Sequence, residues 1–125
     1  MISFVTSIKI CRYYENYADR LRDYIENITL GCNLIDISYE IIVCEDVCDK
    51  NTKLIDSVLD NDFLVENNTS IVKVLQTYDN PIGYNMIEAY AKNVGLNRAK
   101  GEYVCMTNAD ILFNSHFFDF IKEKM

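Results

Sequence analysis

Four short runs of apolar, often β-branched residues recur along this chain, and segments of helical spacing separate them. That alternation limits the fold more than any other feature. The first run is ISFVTSI (2–8). It precedes ENYADRLRDYIENITL (15–30), where Tyr17, Leu21, Tyr24, Ile25 and Ile28 share one helical face and Gly31 is the expected stop. YEIIVCE (39–45) is apolar almost without interruption, the pattern of a strand covered on both faces. NTKLIDSVLDND (51–62) predicts a short helix capped by Asn51 or Thr52. SIVKVLQ (70–76) predicts a third strand, and Asn80-Pro81-Ile82-Gly83 a turn. A third helix is expected over 84–99, with Ile87, Ala91 and Val94 in one stripe. EYVCMT (102–107) is the fourth strand, and SHFFDFIKEK (115–124) the last helix, with Ser115 as its cap.

Such alternation implies βαβ units with right-handed crossovers. The expected architecture is α/β, a Rossmann-like three-layer α/β/α sandwich around a mostly parallel sheet in the order 3-2-1-4. Sheets of this kind bind ligands beyond the carboxyl ends of their strands, where the strand order reverses. Three polar clusters fall at those ends: Thr6-Ser7 after strand one, Glu45-Asp46 after strand two, and Asn108 with Asp110 after strand four.

With 125 residues, half of them hydrophobic, the chain suffices for one domain with one core. Its net charge of −7 argues against a general nucleic-acid binder, whose affinity comes largely from neutralising phosphates. An anionic ligand would need backbone N–H groups, a few cations or a metal. No segment is long enough to span a membrane. The apolar N-terminus lacks a basic leader and a small-residue cleavage site. Five cysteines, at 11, 32, 44, 48 and 105, form no disulfide framework. A reducing, cytoplasmic setting is therefore expected, and Asn27-Ile28-Thr29 and Asn67-Asn68-Thr69 are then chance matches to the glycosylation pattern.

Each polar position has a plain and a functional reading. Asp110 either caps a helix or supplies a hard oxygen ligand to Mg²⁺ or Mn²⁺, provided phosphates complete the shell. Ser115 already serves as a cap, which favours the second reading. Glu45 and Asp46 are either solvated turn residues or acceptors for a nucleobase imide or a ribose hydroxyl. Thr6 is a strand-end residue or a small polar contact to a base. Lys92, Arg98 and Lys100 read as a solvated helix face, although Lys92 or Asn93 could reach a diphosphate and Gly95 would let that helix pack close to the sheet. Cys44 and Cys48 lack the further ligands of a zinc site. His116 is the only histidine, and it reads as a surface or capping residue. Nothing here matches GxGxxG or a P-loop.

Taken together, the segments resemble a known family. YEIIVCEDVCDKN resembles the EIIVVDDGSTD segment of the large inverting family of GT-A-fold nucleotide-sugar glycosyltransferases. AKNVGLNRAKGEYVCMTNAD resembles that family's ARNxGxxxAxGEYxxFxDAD, and FVTS its first-strand tip. The three segments stand in the family's order and at its approximate spacing. The resemblance implies that Thr6, with Ser7 beside it, and Asp46 contact uracil or another base, with Glu45 as a neighbouring base or ribose contact. It implies that Asn108-Ala109-Asp110 occupy the metal-binding Asp-x-Asp position, with Asp110 holding a divalent ion that bridges the diphosphate. Asn108 replaces the first acid of that motif, Glu45 the usual Asp, and Val47-Cys48 the usual Gly-Ser. In this family the residues beyond Asp-x-Asp build the acceptor site and supply the base. The fifteen residues after Asp110 (125 − 110) match none of that half. The expectation is a donor-nucleotide half that takes a UDP-sugar, with a homodimer or a partner chain as the possible source of the acceptor half. The competing readings are a non-catalytic nucleotide-binding module and a degenerate interaction fragment.

Overall fold

The computed structural model describes residues 1–8, 16–46, 55, 58–74 and 88–125. The elements are β1 (Ile2–Ile8), α1 (Tyr17–Leu34), β2 (Tyr39–Asp46), α2 (Asn61–Glu66), β3 (Thr69–Val74), α3 (Glu88–Leu96), β4 (Tyr103–Met106) and α4 (Ser115–Lys124). The sheet has the order β3-β2-β1-β4, and every pair is parallel. This is the expected α/β, Rossmann-like arrangement.

Strands β1 and β2 lie inside the sheet and are buried almost throughout, which is why their sequences are nearly continuous apolar runs. Alternate residues feed two cores. Phe4, Ile8, Ile41 and Val43 join Leu21, Tyr24, Ile25 and Ile28 of α1, Leu64 of α2, and Phe118 and Ile121 of α4 on one face. Val5, Ile42, Cys44 and Val74 meet Ala91 of α3 on the other. Ala91 and Val94 face the sheet as their spacing predicts, whereas Ile87 lies outside the described residues.

Several boundaries differ from the sequence reading. Helix α1 does not stop at Gly31 but runs to Leu34. Gly31 is instead a packing position, because a Cβ there would lie 2.1 Å from Phe118 Cζ. The real stop is Asp36, at φ 55. Its N–H donates to Asn33 O at 3.2 Å, and the N–H of Ile37 donates to Cys32 O at 3.0 Å. These two bonds are those of a Schellman motif, with Asp in the left-handed position that glycine more often fills.

The helix expected over 51–62 falls largely outside the described residues. Ile55 O accepts from the N–H groups of Val58 and Leu59, and α2 follows Asp60, whose carboxylate accepts from Asp62 N–H. The expected caps Asn51 and Thr52 lie outside the described residues. Helix α3 ends at Leu96, so Arg98 and Lys100 stand in the connection to β4 rather than on the helix. The cap of α4 is Asn114, whose side chain accepts from Phe117 N–H at 3.0 Å, and Ser115 is the first helical residue. An Asn at the extended position before the helix supplies the oxygen that Ser115, already helical, does not. Phe118 and Ile121 are buried and Phe117 partly so, whereas Phe120 is exposed.

Gly95 sets the spacing between α3 and the sheet. A Cβ there would lie 2.6 Å from Cys44 Sγ and 2.7 Å from Val5 Cγ1. Two effects compete on Gly95→Ala: alanine favours the helix by about 1 kcal/mol, but overpacking costs ~1–3 kcal/mol. Both atoms it meets belong to strands buried in the sheet, so the steric cost wins. We expect a lower urea midpoint with an unchanged slope; a raised midpoint would show that α3 can lift from the sheet without penalty.

Candidate functional site

The two ends of β1 are built differently. At the amino end, the buried Ser3 hydroxyl donates to Glu40 Oε1 at 2.6 Å and accepts from Gly101 N–H at 2.8 Å. Glu40 Oε1 also accepts from Lys100 N–H at 2.7 Å, and Glu102 N–H donates to Met1 O at 3.0 Å. A Cβ on Gly101 would meet Met1 O at 2.7 Å and Ser3 N at 2.8 Å. The Lys100-Gly101-Glu102 segment, read above as part of a family motif, thus joins the α3–β4 connection to the first two strands.

At the carboxyl end, the polar side chains are equally buried but differently provided for. Thr6 is fully buried and Ser7 nearly so, yet neither hydroxyl has a hydrogen-bond partner among the described residues. Leaving a buried hydroxyl unsatisfied costs about 1–3 kcal/mol. Glu45 and Asp46 are also buried, where the sequence left open that they were solvated turn residues. Glu45 Oε2 accepts from Ile55 N–H at 2.5 Å, so the carboxylate ties Ile55 to the end of β2. Side chains alternate along a strand. The strand register therefore sets Thr6 and Glu45 on the α1/α4 face and Ser7 and Asp46 on the α3 face. The four form two pairs, one on each side of the sheet edge.

The tip of β4 lies beside the tip of β1. Val5 pairs with Met106, and Thr107 N–H donates to Val5 O at 3.0 Å. Beyond it, Lys92 Nζ of α3 donates to Asn108 Oδ1 at 3.1 Å. The structure therefore joins two of the residues singled out from the sequence. Ala109 is buried, whereas Asn108 and Asp110 are exposed. Asn93 is exposed as well. Asp110 makes no hydrogen bond or ion pair with any described residue. Among the described residues, no group of three or more His, Cys, Asp and Glu side chains could hold a metal ion by itself. His116 is exposed in the first turn of α4.

Other residues shape this edge without having been singled out for it. Tyr24 of α1 shares a hydrogen bond with Thr107 Oγ1 at 2.8 Å. Asn27 Nδ2 donates to Phe113 O at 3.0 Å, and Phe113 N–H donates to Asn27 Oδ1 at 2.7 Å. In the sequence, Asn27 offers only the outline of a glycosylation site, and nothing local links it to residue 113. Its amide is used on both sides within the fold. The other such match, Asn67, donates its amide to Phe63 O at 2.7 Å.

No helix among the described residues is long and apolar enough to cross a membrane. Compared with protein-family models and with curated proteins, the chain matches none.

Cys48 lies outside the described residues, and Cys44 is buried under α3. Burial pushes the Cys44 thiol up, against the opposing Gly95 backbone hydrogen bond and the Arg98 charge. Burial also raises Cys105, and it pushes Cys32 up to about 12. Neutral thiols of this kind react slowly and bind metal poorly. The sign of the linkage follows. An unfolded thiol releases its proton from about pH 9, while the native Cys32 holds its proton up to about 12. Between those values the unfolded chain binds fewer protons, so stability falls as pH rises, and it is level in this respect below about pH 9. Urea midpoints should therefore decline above that pH. Iodoacetamide near neutral pH should modify Cys32 and Cys44 only in denaturant, and rapid labelling of the native protein would contradict the buried placement.

Proposed function

We propose that this chain binds a nucleoside diphosphate sugar, with a UDP-sugar as the first candidate, across the carboxyl edge of its sheet, as the donor-binding half of a GT-A-type glycosyltransferase. The observation that carries the proposal is the contrast between the two ends of β1. Ser3 is satisfied by Glu40 and Gly101, whereas Thr6 and Ser7 are buried with hydroxyls that no described residue satisfies. Unsatisfied buried hydroxyls at the order reversal of a parallel sheet are what a polar ligand at that edge would pair with.

On this reading Thr6, Ser7 and Asp46 hold the base, with Glu45 supporting that end through its bond to Ile55 N–H. Lys92, Asn93 and Asn108 face the diphosphate. Asp110, an exposed carboxylate with no described partner, suits a hard divalent cation, Mn²⁺ or Mg²⁺. One carboxylate holds such an ion only with the ligand's phosphates as further oxygen donors. When bound, the ion would neutralise charge on the departing nucleoside diphosphate. This chain's own residues orient the nucleotide and present Asp110. The resemblance assigns the acceptor hydroxyl and its base to the part of the family that follows Asp-x-Asp.

Calorimetry of the chain with UDP and UDP-glucose, with and without Mn²⁺, tests the proposal. Thr6→Val keeps the shape and deletes the hydroxyl. It should leave stability unchanged or raise it by about 1 kcal/mol, and weaken UDP binding by about tenfold. A loss of stability with unaltered binding would show that the hydroxyl serves the fold alone. Separately, Asp110→Ala should abolish the Mn²⁺ dependence of binding, and a variant that binds UDP and Mn²⁺ like the parent would exclude Asp110 as the ligand.

A further inference from the structure

Helix α1 contributes nothing to the site as the sequence describes it, yet it holds the β4 tip at both ends. We propose that Tyr24 and Asn27 are positioning residues, which fix the segment Thr107–Phe113 so that Asn108 and Asp110 meet the ligand in one geometry. The inference rests on the donor-binding reading above and adds to it a part of the molecule that no motif marks.

The argument begins with where the segment is held. Tyr24 OH meets Thr107 Oγ1 at 2.8 Å at its start. Asn27 pairs with both backbone groups of Phe113 at its end, at 3.0 and 2.7 Å. A side-chain amide that donates to the carbonyl and accepts from the N–H of one residue fixes that residue's peptide planes as a neighbouring strand would. The Phe113 ring adds to the anchoring by stacking on Phe117 at 4.1 Å and lying 5.7 Å from Phe4. Buried Ala109 turns inward between the two anchors. Asn108 and Asp110 flank it and face outward.

Tyr24 and Asn27 stand one helical turn apart on α1, so one rigid element sets both ends of the segment. Tyr24 is fully buried, with Phe113 at 6.4 Å, and cannot shift without disturbing that core. A site carboxylate held in this way loses less freedom on binding than one on a loose loop. Supporting residues of this kind typically change affinity by about 10- to 100-fold when removed.

The experiment uses the full chain with three probes: uridine, UDP, and UDP with MnCl₂. Tyr24→Phe deletes one hydroxyl and keeps the ring in the core, and Asn27→Ala deletes both bonds to Phe113. Each variant is measured at a temperature where circular dichroism shows it fully folded. We expect about tenfold weaker binding of UDP with Mn²⁺ for Asn27→Ala, a smaller loss for Tyr24→Phe, and unchanged binding of uridine. A residue that served only the fold would lower the melting temperature and leave all three affinities of the folded protein alone, or would lower them together; either result overturns the proposal. If the parent binds none of the probes, the donor-binding reading fails by itself, and amide relaxation decides the remainder. Loss of order at Ala109–Leu112 in Asn27→Ala, from about 0.85 toward 0.6, supports the anchoring, and an unchanged profile overturns it.

Discussion

Strand β1 has a strand on each side and helices against both faces, so only its two ends can meet anything but protein. The rest of the structure answers to that constraint. A strand in this position must be apolar along its length, or its polar atoms must find partners inside the fold. Ile2, Phe4, Val5 and Ile8 meet the first condition, and Ser3 the second, through Glu40 and Gly101. Thr6 and Ser7 meet neither within the described residues. The same strand thus has one end whose polar side chain is satisfied within the fold and another whose buried hydroxyls no described residue satisfies.

Close packing on each face follows from the same position. Gly95 brings α3 down onto Val5 and Cys44, and Gly31 admits the Phe118 ring against α1. The first contact sets where Lys92 stands, and Lys92 bridges to Asn108 beyond β4. The second fixes α4 against α1, and α1 in turn holds Thr107 and Phe113. A helix that packs on one face and a helix that packs on the other therefore converge on one short segment. Asp110 lies within that segment and is exposed.

Much of the architecture could be read in advance, because it rests on local signals. Continuous apolar runs predicted interior strands, and β1 and β2 are interior. Strand–helix alternation predicted parallel pairing, and the expected order 3-2-1-4 is the one found. Boundaries were less legible. Gly31 looked like a helix stop because glycine commonly ends helices, but the ring of Phe118, distant in sequence, occupies the space its missing side chain leaves. Asp36 ends the helix instead, in a conformation that its residue type permits without advertising. The cap of α4 moved from Ser115 to Asn114 by one residue, a difference that depends on backbone angles rather than on composition.

At the site, the sequence by itself determined which polar residues stand at the strand ends. Position along a strand is a local property, and parallel strands all end on one edge. Only the tertiary structure decided which of those groups are already satisfied and what holds them. Glu45 is tied to Ile55 N–H, Asn108 accepts from Lys92, and Thr6 and Ser7 have no described partner. It also decided that Tyr24 and Asn27 belong with residues 83 and 86 positions away. A hydrogen bond depends on two atoms meeting within about 3 Å at the right angle, and no pattern of neighbours along the chain records that meeting.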